Sequence, residues 1–311
     1  MSSRAVIWNP LASAHGRHRL LIYHNSTKNN IAVRQWSPED TDPWVKTYQE
    51  HAQSPVGAVK VGGEFAALLW RDWVRAYGII ETKPNSGGAP VSYISLLAPV
   101  PQSLGITTRY NRLAGTSFQT PDGKDKGWLY YLNNDPPVIH ERALDSTSSG
   151  TPIAKTLNLM SSAQPAITDL AACYASKLER RFVFFQTIDG KIHAYDVKAS
   201  AGTADHLVTG AEAARHGTPL AAASFVSVDK DVIVVYWIHS SDGLIYRSHS
   251  IDAGFHWNTE SLDGAAPASP ETLAVAPNSD LKNNTLVYTA ASEEADIQAW
   301  VDDWETFVRQ A

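Results

Sequence analysis

One cysteine in 311 residues removes disulfides from any account of how this chain holds together. Cys173 sits in the small apolar stretch Leu170-Ala171-Ala172-Cys173-Tyr174, where a thiol reads as buried and inert rather than as a nucleophile. Cations are short too. The 26 Lys and Arg stand against 32 Asp and Glu, leaving a net charge of −6, and a surface that tracks nucleic-acid phosphates needs the opposite balance. The densest basic group, Lys177 to Arg181, is broken by Leu178 and Glu179 and reads as a solvated loop. No apolar run is long enough to cross a bilayer. Residues 1–20 are interrupted by Asn9, His15, Arg17 and His18, which leaves no signal-peptide core. The expectation is a cytosolic protein with neither nucleic acid nor membrane as a partner.

Chemical motifs are equally scarce. The 11 histidines are scattered, and no H-E-x-x-H, C-x-x-C or paired His/Asp spacing points to a metal. A G-x-S-x-G elbow, a P-loop and a G-x-G-x-x-G turn are all missing, so neither a hydrolase nor a nucleotide-dependent enzyme is favoured, and no cofactor is expected. Asn25-Ser26-Thr27 and Asn283-Asn284-Thr285 match the glycosylation pattern, which without a secretory signal carries little weight.

Short strands are abundant. Leu20 to Tyr23, Trp128 to Tyr131, Phe182 to Phe185, Val232 to Trp237 and Thr285 to Tyr288 are β-branched or aromatic and bounded by turn residues. Helical periodicity is confined to Thr209–Arg215 and Asp302–Gln310, each enough for a turn or two. The central aromatics Tyr23, Tyr77, Tyr130, Phe184, Tyr236 and Tyr288 recur at steps of 54, 53, 54, 52 and 52 residues. Five near-equal steps define six units. Each unit has a small-residue first strand: Ala5 to Trp8, Phe65 to Trp70, Gly105 to Thr108, Ala166 to Leu170, Ala221 to Phe225 and Thr272 to Val275. The aromatic strand follows, then a tight turn such as Asp189-Gly190 or Asp242-Gly243, then a third strand. About fifty residues per unit is the size of a four-stranded blade. The reading is all-β: a single six-bladed β-propeller domain over residues 1–311, with four-stranded antiparallel blades.

The units resemble those of the fungal fucose-specific lectins of the orange peel mushroom type. The resemblance rests on Phe65 to Trp70, Val74-Arg75-Ala76-Tyr77, Phe184-Phe185-Gln186 followed by Asp189-Gly190-Lys191-Ile192, and Val138-Ile139-His140-Glu141 through Asp145. It implies a propeller that holds fucose between adjacent blades through an Arg of the second strand and a Glu of the third, and it implies a homodimer. The Arg position reads Leu21, Arg75, Trp128, Phe182, Val234 and Leu286 through the six units. The Glu position reads Val33, Tyr93, Glu141, Ala194, Tyr246 and Ala299. No unit keeps the pair, and a site built for hydroxyls does not tolerate losing its polar partners.

Relatives of these lectins in fungal secondary metabolism act as hetero-Diels-Alderases that join a tropolone quinone methide to a humulene-type sesquiterpene. Resemblance to such a descendant implies a cofactor-independent cyclase with small-molecule substrates, a carbohydrate-binding lectin being the alternative. Dehydration of a hydroxymethyl tropolone calls for an acid and for a donor on the tropolone oxygens, and humulene calls for apolar walls. Arg75 is the candidate oxygen-binding cation, and reads equally as a surface ion pair. His140 beside Glu141 is the candidate acid, or a solvent-facing pair. Tyr93 and Tyr246 are candidate donors, or packing between blades. Trp128, Trp237 and Trp257 are candidate walls, or core residues.

Overall fold

A computed structural model describes residues 4–308 apart from 14–15, 41–42, 51–57, 83–88, 121, 124, 145–154, 158–164, 201 and 292–296. It is a six-bladed β-propeller of small antiparallel sheets with almost no helix. The first sheet runs β1 (Arg4–Trp8), β2 (Leu20–Asn25), β3 (Ile31–Trp36) and β4 (Trp44–Glu50), with the short helix α1 (Pro10–Ser13) after β1. The second has five strands: β5 (Ala58–Val59), β6 (Phe65–Trp70), β7 (Trp73–Thr82), β8 (Val91–Ala98) and β9 (Gln102–Thr107). The third has β10 (Leu113–Phe118), β11 (Lys126–Asn133), β12 (Val138–Ala143) and β13 (Lys155–Thr156). In the fourth are β14 (Pro165–Ala175), β15 (Arg180–Thr187), β16 (Ile192–Asp196) and β17 (Asp205–Leu207). The fifth is β18 (Ala221–Ser227), β19 (Lys230–Ile238), β20 (Ile245–Ser250) and β21 (Asn258–Ser261). The sixth has three strands among the described residues: β22 (Ala268–Asn278), β23 (Asn283–Ala290) and β24 (Ile297–Asp303), followed by α2 (Glu305–Val308).

The chain forms two compact units, Met1–Asn133 with Ala143–Thr151, and Asn134–Arg142 with Pro152–Ala311.

The repeat has a packing reason. Tyr23 pairs across the sheet with Ala5, Tyr77 with Ala66, Tyr130 with Ala114, Phe184 with Ala171 and Tyr236 with Ala221, while Tyr288 faces Leu273. A large ring beside a small first-strand residue fills the blade without overpacking it, and all six rings are buried. A second repeat feature lies five residues before the aromatic. There Asp125 accepts from the amide of Arg71 at 2.7 Å, and Asp231 accepts from the amide of Leu178 at 2.7 Å. Each carboxylate thereby fastens the tight turn of the blade before it.

The register corrects one expected strand. Gly105 to Thr108 does not open the third blade; Gly105 to Thr107 ends β9, the outer strand of the second, which pairs with β8. The third blade opens on β10, whose Gly115, Thr116 and Ser117 disguise a buried inner strand. Residues 209–215 form turns instead of helix. The C-terminal helix is the single turn α2, and Gln310 lies outside the described residues. The run at 177–181 is only partly loop: Arg180 and Arg181 open β15, and Arg180 pairs with the buried Asp196 at 2.6 Å. Cys173 is buried, and burial pushes its thiol well above the usual range, as expected of an inert thiol.

Candidate functional site

Strand alternation decides which side chains can meet. Arg75 on β7 lies opposite Leu68, and Tyr77 lies opposite Ala66, so both share the side of the second sheet that carries Ala66, Leu68 and Trp70. That side packs against β10 and β11. A Cβ placed on Gly115 would stand 3.0 Å from both Ala66 and Leu68, and one on Gly127 would stand 3.6 Å from Trp70. Arg75 thus projects between the second and third sheets, where two glycines allow close approach. Its guanidinium lies 4.5 Å from the centre of the Trp70 ring, and its Nε is buried without a hydrogen-bond partner. The Tyr77 phenol stands in the field of Arg75, and its pKa is pushed up to about 12, chiefly by burial and against the pull of Arg75. Tyr77 therefore keeps its proton at neutral pH.

The Glu position needs correcting in three blades. The residues opposite the blade aromatics are Val33, Leu96, Ala194, Arg247 and Gln298 in the first, second, fourth, fifth and sixth sheets. Leu96, Arg247 and Gln298 replace Tyr93, Tyr246 and Ala299. The register of the second hairpin, unbroken from Thr82–Val91 to Tyr77–Leu96, and one-residue slips in the last two hairpins cause the difference, and an odd slip turns a side chain to the other face. Tyr93 accordingly packs with Ala76, Ile80 and Leu97, on the face of the second sheet away from Arg75. Trp128 lies on the face of β11 opposite to Gly127 and Leu129, and so also turns away from Arg75.

Glu141 and His140 alternate on β12 and face opposite sides. The Glu141 carboxylate is held by Arg181 through Nε at 3.1 Å and Nη2 at 3.4 Å, a forked ion pair with the following blade. His140 accepts from the Asn134 side-chain amide at 3.2 Å, and burial lowers its pKa from 6.5, so it is neutral at pH 7. A neutral imidazole beside a committed carboxylate is a poor proton donor. Asp145 lies outside the described residues.

Trp237 is fully buried and donates to Ser248 Oγ at 3.0 Å. Tyr246 stacks on it at 5.0 Å, and His239 stacks on Tyr246 at 4.7 Å, making a three-ring column against the fourth sheet. Trp257 is buried edge-on to Phe184 and donates to the Gly254 carbonyl at 3.0 Å. It closes a turn in which Ser250 Oγ accepts from the Gly254 amide and donates to Asp252, while Asp252 accepts from the His256 amide. Trp237 and Trp257 thus stand in the core, with their polar atoms already satisfied.

The strongest polar cluster went unread in the sequence. Arg247 is buried between two carboxylates, Asp302 and Glu260, with Nη2 2.7 Å from Glu260, and its guanidinium lies 4.0 Å from the centre of the Phe307 ring. Tyr236 donates to Asp302 at 2.8 Å, Asn284 donates to Tyr236 at 2.8 Å, and Trp304 donates to Asn284 at 3.0 Å. His249 stands edge-on to Phe307, with burial lowering its pKa. Arg247, Tyr236, Asn284 and Trp304 each donate to an acceptor within the cluster, while His249 Nδ1 is buried without a hydrogen-bond partner, so the cluster reads as a fastening between the fifth and sixth sheets.

Burial raises the Asp302 pKa from 3.8 to about 6, against the pull of Arg247 and Tyr236. The folded chain then holds a proton that the unfolded chain has lost, so this group adds stability as pH falls through 6 towards 4. The gain between pH 7 and 4.5 is about 2 kcal/mol. Urea unfolding of wild type and Asp302→Asn at both pH values should show the gap moving in favour of wild type on acidification; a constant gap would refute the raised pKa.

No group of His, Cys, Asp and Glu among the described residues is arranged to hold a metal. No described helix is long and apolar enough to cross a membrane. No family model matches the chain. A wall-associated proteinase of Coccidioides immitis is 26% identical over 298 residues, covering 91% of this chain and 90% of that protein. Ser241 Oγ and Asp242 both approach His239 at Nδ1, Ser250 bonds Asp252 rather than His256, and among the described residues no serine hydroxyl bonds the Nε2 of an Asp-paired histidine. In structure, the chain resembles the fucose-specific lectin of Aleuria aurantia with a TM-score of 0.66 at 17% identity, over 96% of this chain and 91% of that one. AofleA of Arthrobotrys oligospora gives 0.66 at 17%, over 97% and 87%. At this identity the likeness establishes the lectin-type six-bladed propeller fold.

Proposed function

We propose that the chain is a cofactor-independent cyclase of the hetero-Diels-Alder type, acting on a tropolone-derived quinone methide and a humulene-type sesquiterpene. The observation that carries the reading is the Arg75 locus, which offers donors without a carboxylate: a buried Nε with no partner, beside the protonated Tyr77 phenol. A sugar hydroxyl presents donors as well as acceptors and needs a carboxylate in return, but Leu96 stands where that Glu would be. A conjugated carbonyl or tropolone oxygen presents acceptors only. Donors aimed at it withdraw electron density from the diene, and orientation beside Trp70 and Leu68 supplies part of the barrier reduction. Few polar groups are required. Cytosolic placement and a homodimer belong to the same proposal.

Incubation with a hydroxymethyl tropolone and humulenol should give faster, stereoselective adduct formation. Arg75→Gln should lower that rate about 100-fold, as loss of a single oxygen-binding donor does elsewhere, while Tm changes little. An unchanged rate would remove Arg75 from the reaction. Fucose binding on a glycan array without rate enhancement would replace the enzyme by the lectin that the structural neighbours' names suggest.

A further inference from the structure

The tight turn between β6 and β7 carries a second guanidinium. Arg71 and Asp72 both have left-handed backbone, with φ of 54° and 60°. Asn and Gly take that conformation with least strain, so an arginine there is an uncommon choice. The turn is fixed from outside: Asp125 accepts the Arg71 amide through one oxygen and the Thr120 amide through the other, and its carbonyl accepts from Trp70 Nε1 at 3.3 Å. The Asp125 carboxylate is thus spent on backbone amides. The Arg71 guanidinium lies 5.1 Å from the centre of the Trp70 ring, the ring that Arg75 also covers at 4.5 Å. Two cations therefore share one aromatic side chain. Among the described residues, neither has a carboxylate within ion-pair distance. Trp73, opposite Trp70 in the register and on the same side, is 62% exposed.

Two guanidinium groups set against one ring without a counterion attract an anion, and a guanidinium fork matches two adjacent oxygens. Exposed indole beside them favours a flat conjugated body. We propose that Arg71, Arg75, Trp70 and Trp73 form a binding site for a planar conjugated oxyanion, a tropolonate or an aromatic carboxylate, with Arg71 supplying the outer charge. The inference deepens the reading of Arg75 given above and adds to it a ligand charge state and a second contact.

The test is calorimetric and NMR titration of the protein with tropolone above its pKa, with benzoate, and with uncharged benzyl alcohol. Tropolonate and benzoate should bind, and benzyl alcohol should not. Arg71→Gln and Trp73→Ala should each weaken tropolonate about tenfold, and raising salt should weaken it further. No binding by wild type, or binding indifferent to Arg71→Gln, overturns the inference. Loss confined to Arg75→Gln would overturn it while leaving the catalytic role of Arg75 standing; anion binding with no adduct formation would do the reverse.

Discussion

Replacing Arg247 by alanine should cost the fold about 3–5 kcal/mol, because it removes one partner from a buried charged network. Asp302 is 5% exposed and would keep Tyr236 as its donor while losing its cation. Glu260, partly solvated, can turn to water, but Phe307 loses the group that covers its face. Phe307 also packs edge-on to Phe225, which stacks on Trp304 at 3.9 Å, so the loss passes into the closing turn α2. Arg247→Lys keeps the charge and forfeits the fork, and should fall between wild type and alanine. Urea unfolding at pH 7 reads these differences directly. A loss below about 1 kcal/mol for Arg247→Ala would mean that the cluster is not a fastening.

Trp237→Ala should be about as damaging, at 3–5 kcal/mol, since an indole with no exposed surface leaves a large cavity and orphans the Ser248 contact. Tyr246 and His239 would lose the base of their column. The distinction from a ligand wall is sharp. A wall residue could be shortened with the fold intact and binding impaired, whereas here stability should fall first and Trp237→Phe should restore most of it. Wild-type stability in Trp237→Ala, with weakened ligand binding, would move Trp237 out of the core and into a site.

Why the architecture was legible and the chemistry was not follows from distance along the chain. Tyr23 and its five counterparts each face a small or apolar first-strand residue within the same hairpin, so packing writes its period into consecutive residues. Arg247 meets Glu260 across 13 positions and Asp302 across 55, and nothing in the local pattern marks either encounter. Register fell between these cases. One residue more in the 240–243 turn exchanges Tyr246 for Arg247 opposite Tyr236, turning an expected aromatic donor into a buried cation. Gly115 hid its strand for a related reason: its lack of a side chain, which reads as a turn, is what lets Ala66 and Leu68 approach. Arg75 was visible because it stands at a repeat position, and Arg71 was not, because it stands in a turn.

Glu141 and Arg247 both stand on the third strands of their blades, and each pairs onward to the fourth. They carry opposite charges, and each is answered by the opposite charge from the blade that follows, Arg181 in one case and Asp302 in the other. Six modules of nearly equal length and shape risk stacking in the wrong order while folding. The two pairs join neighbouring blades with reversed polarity, carboxylate to guanidinium in one and guanidinium to carboxylate in the other.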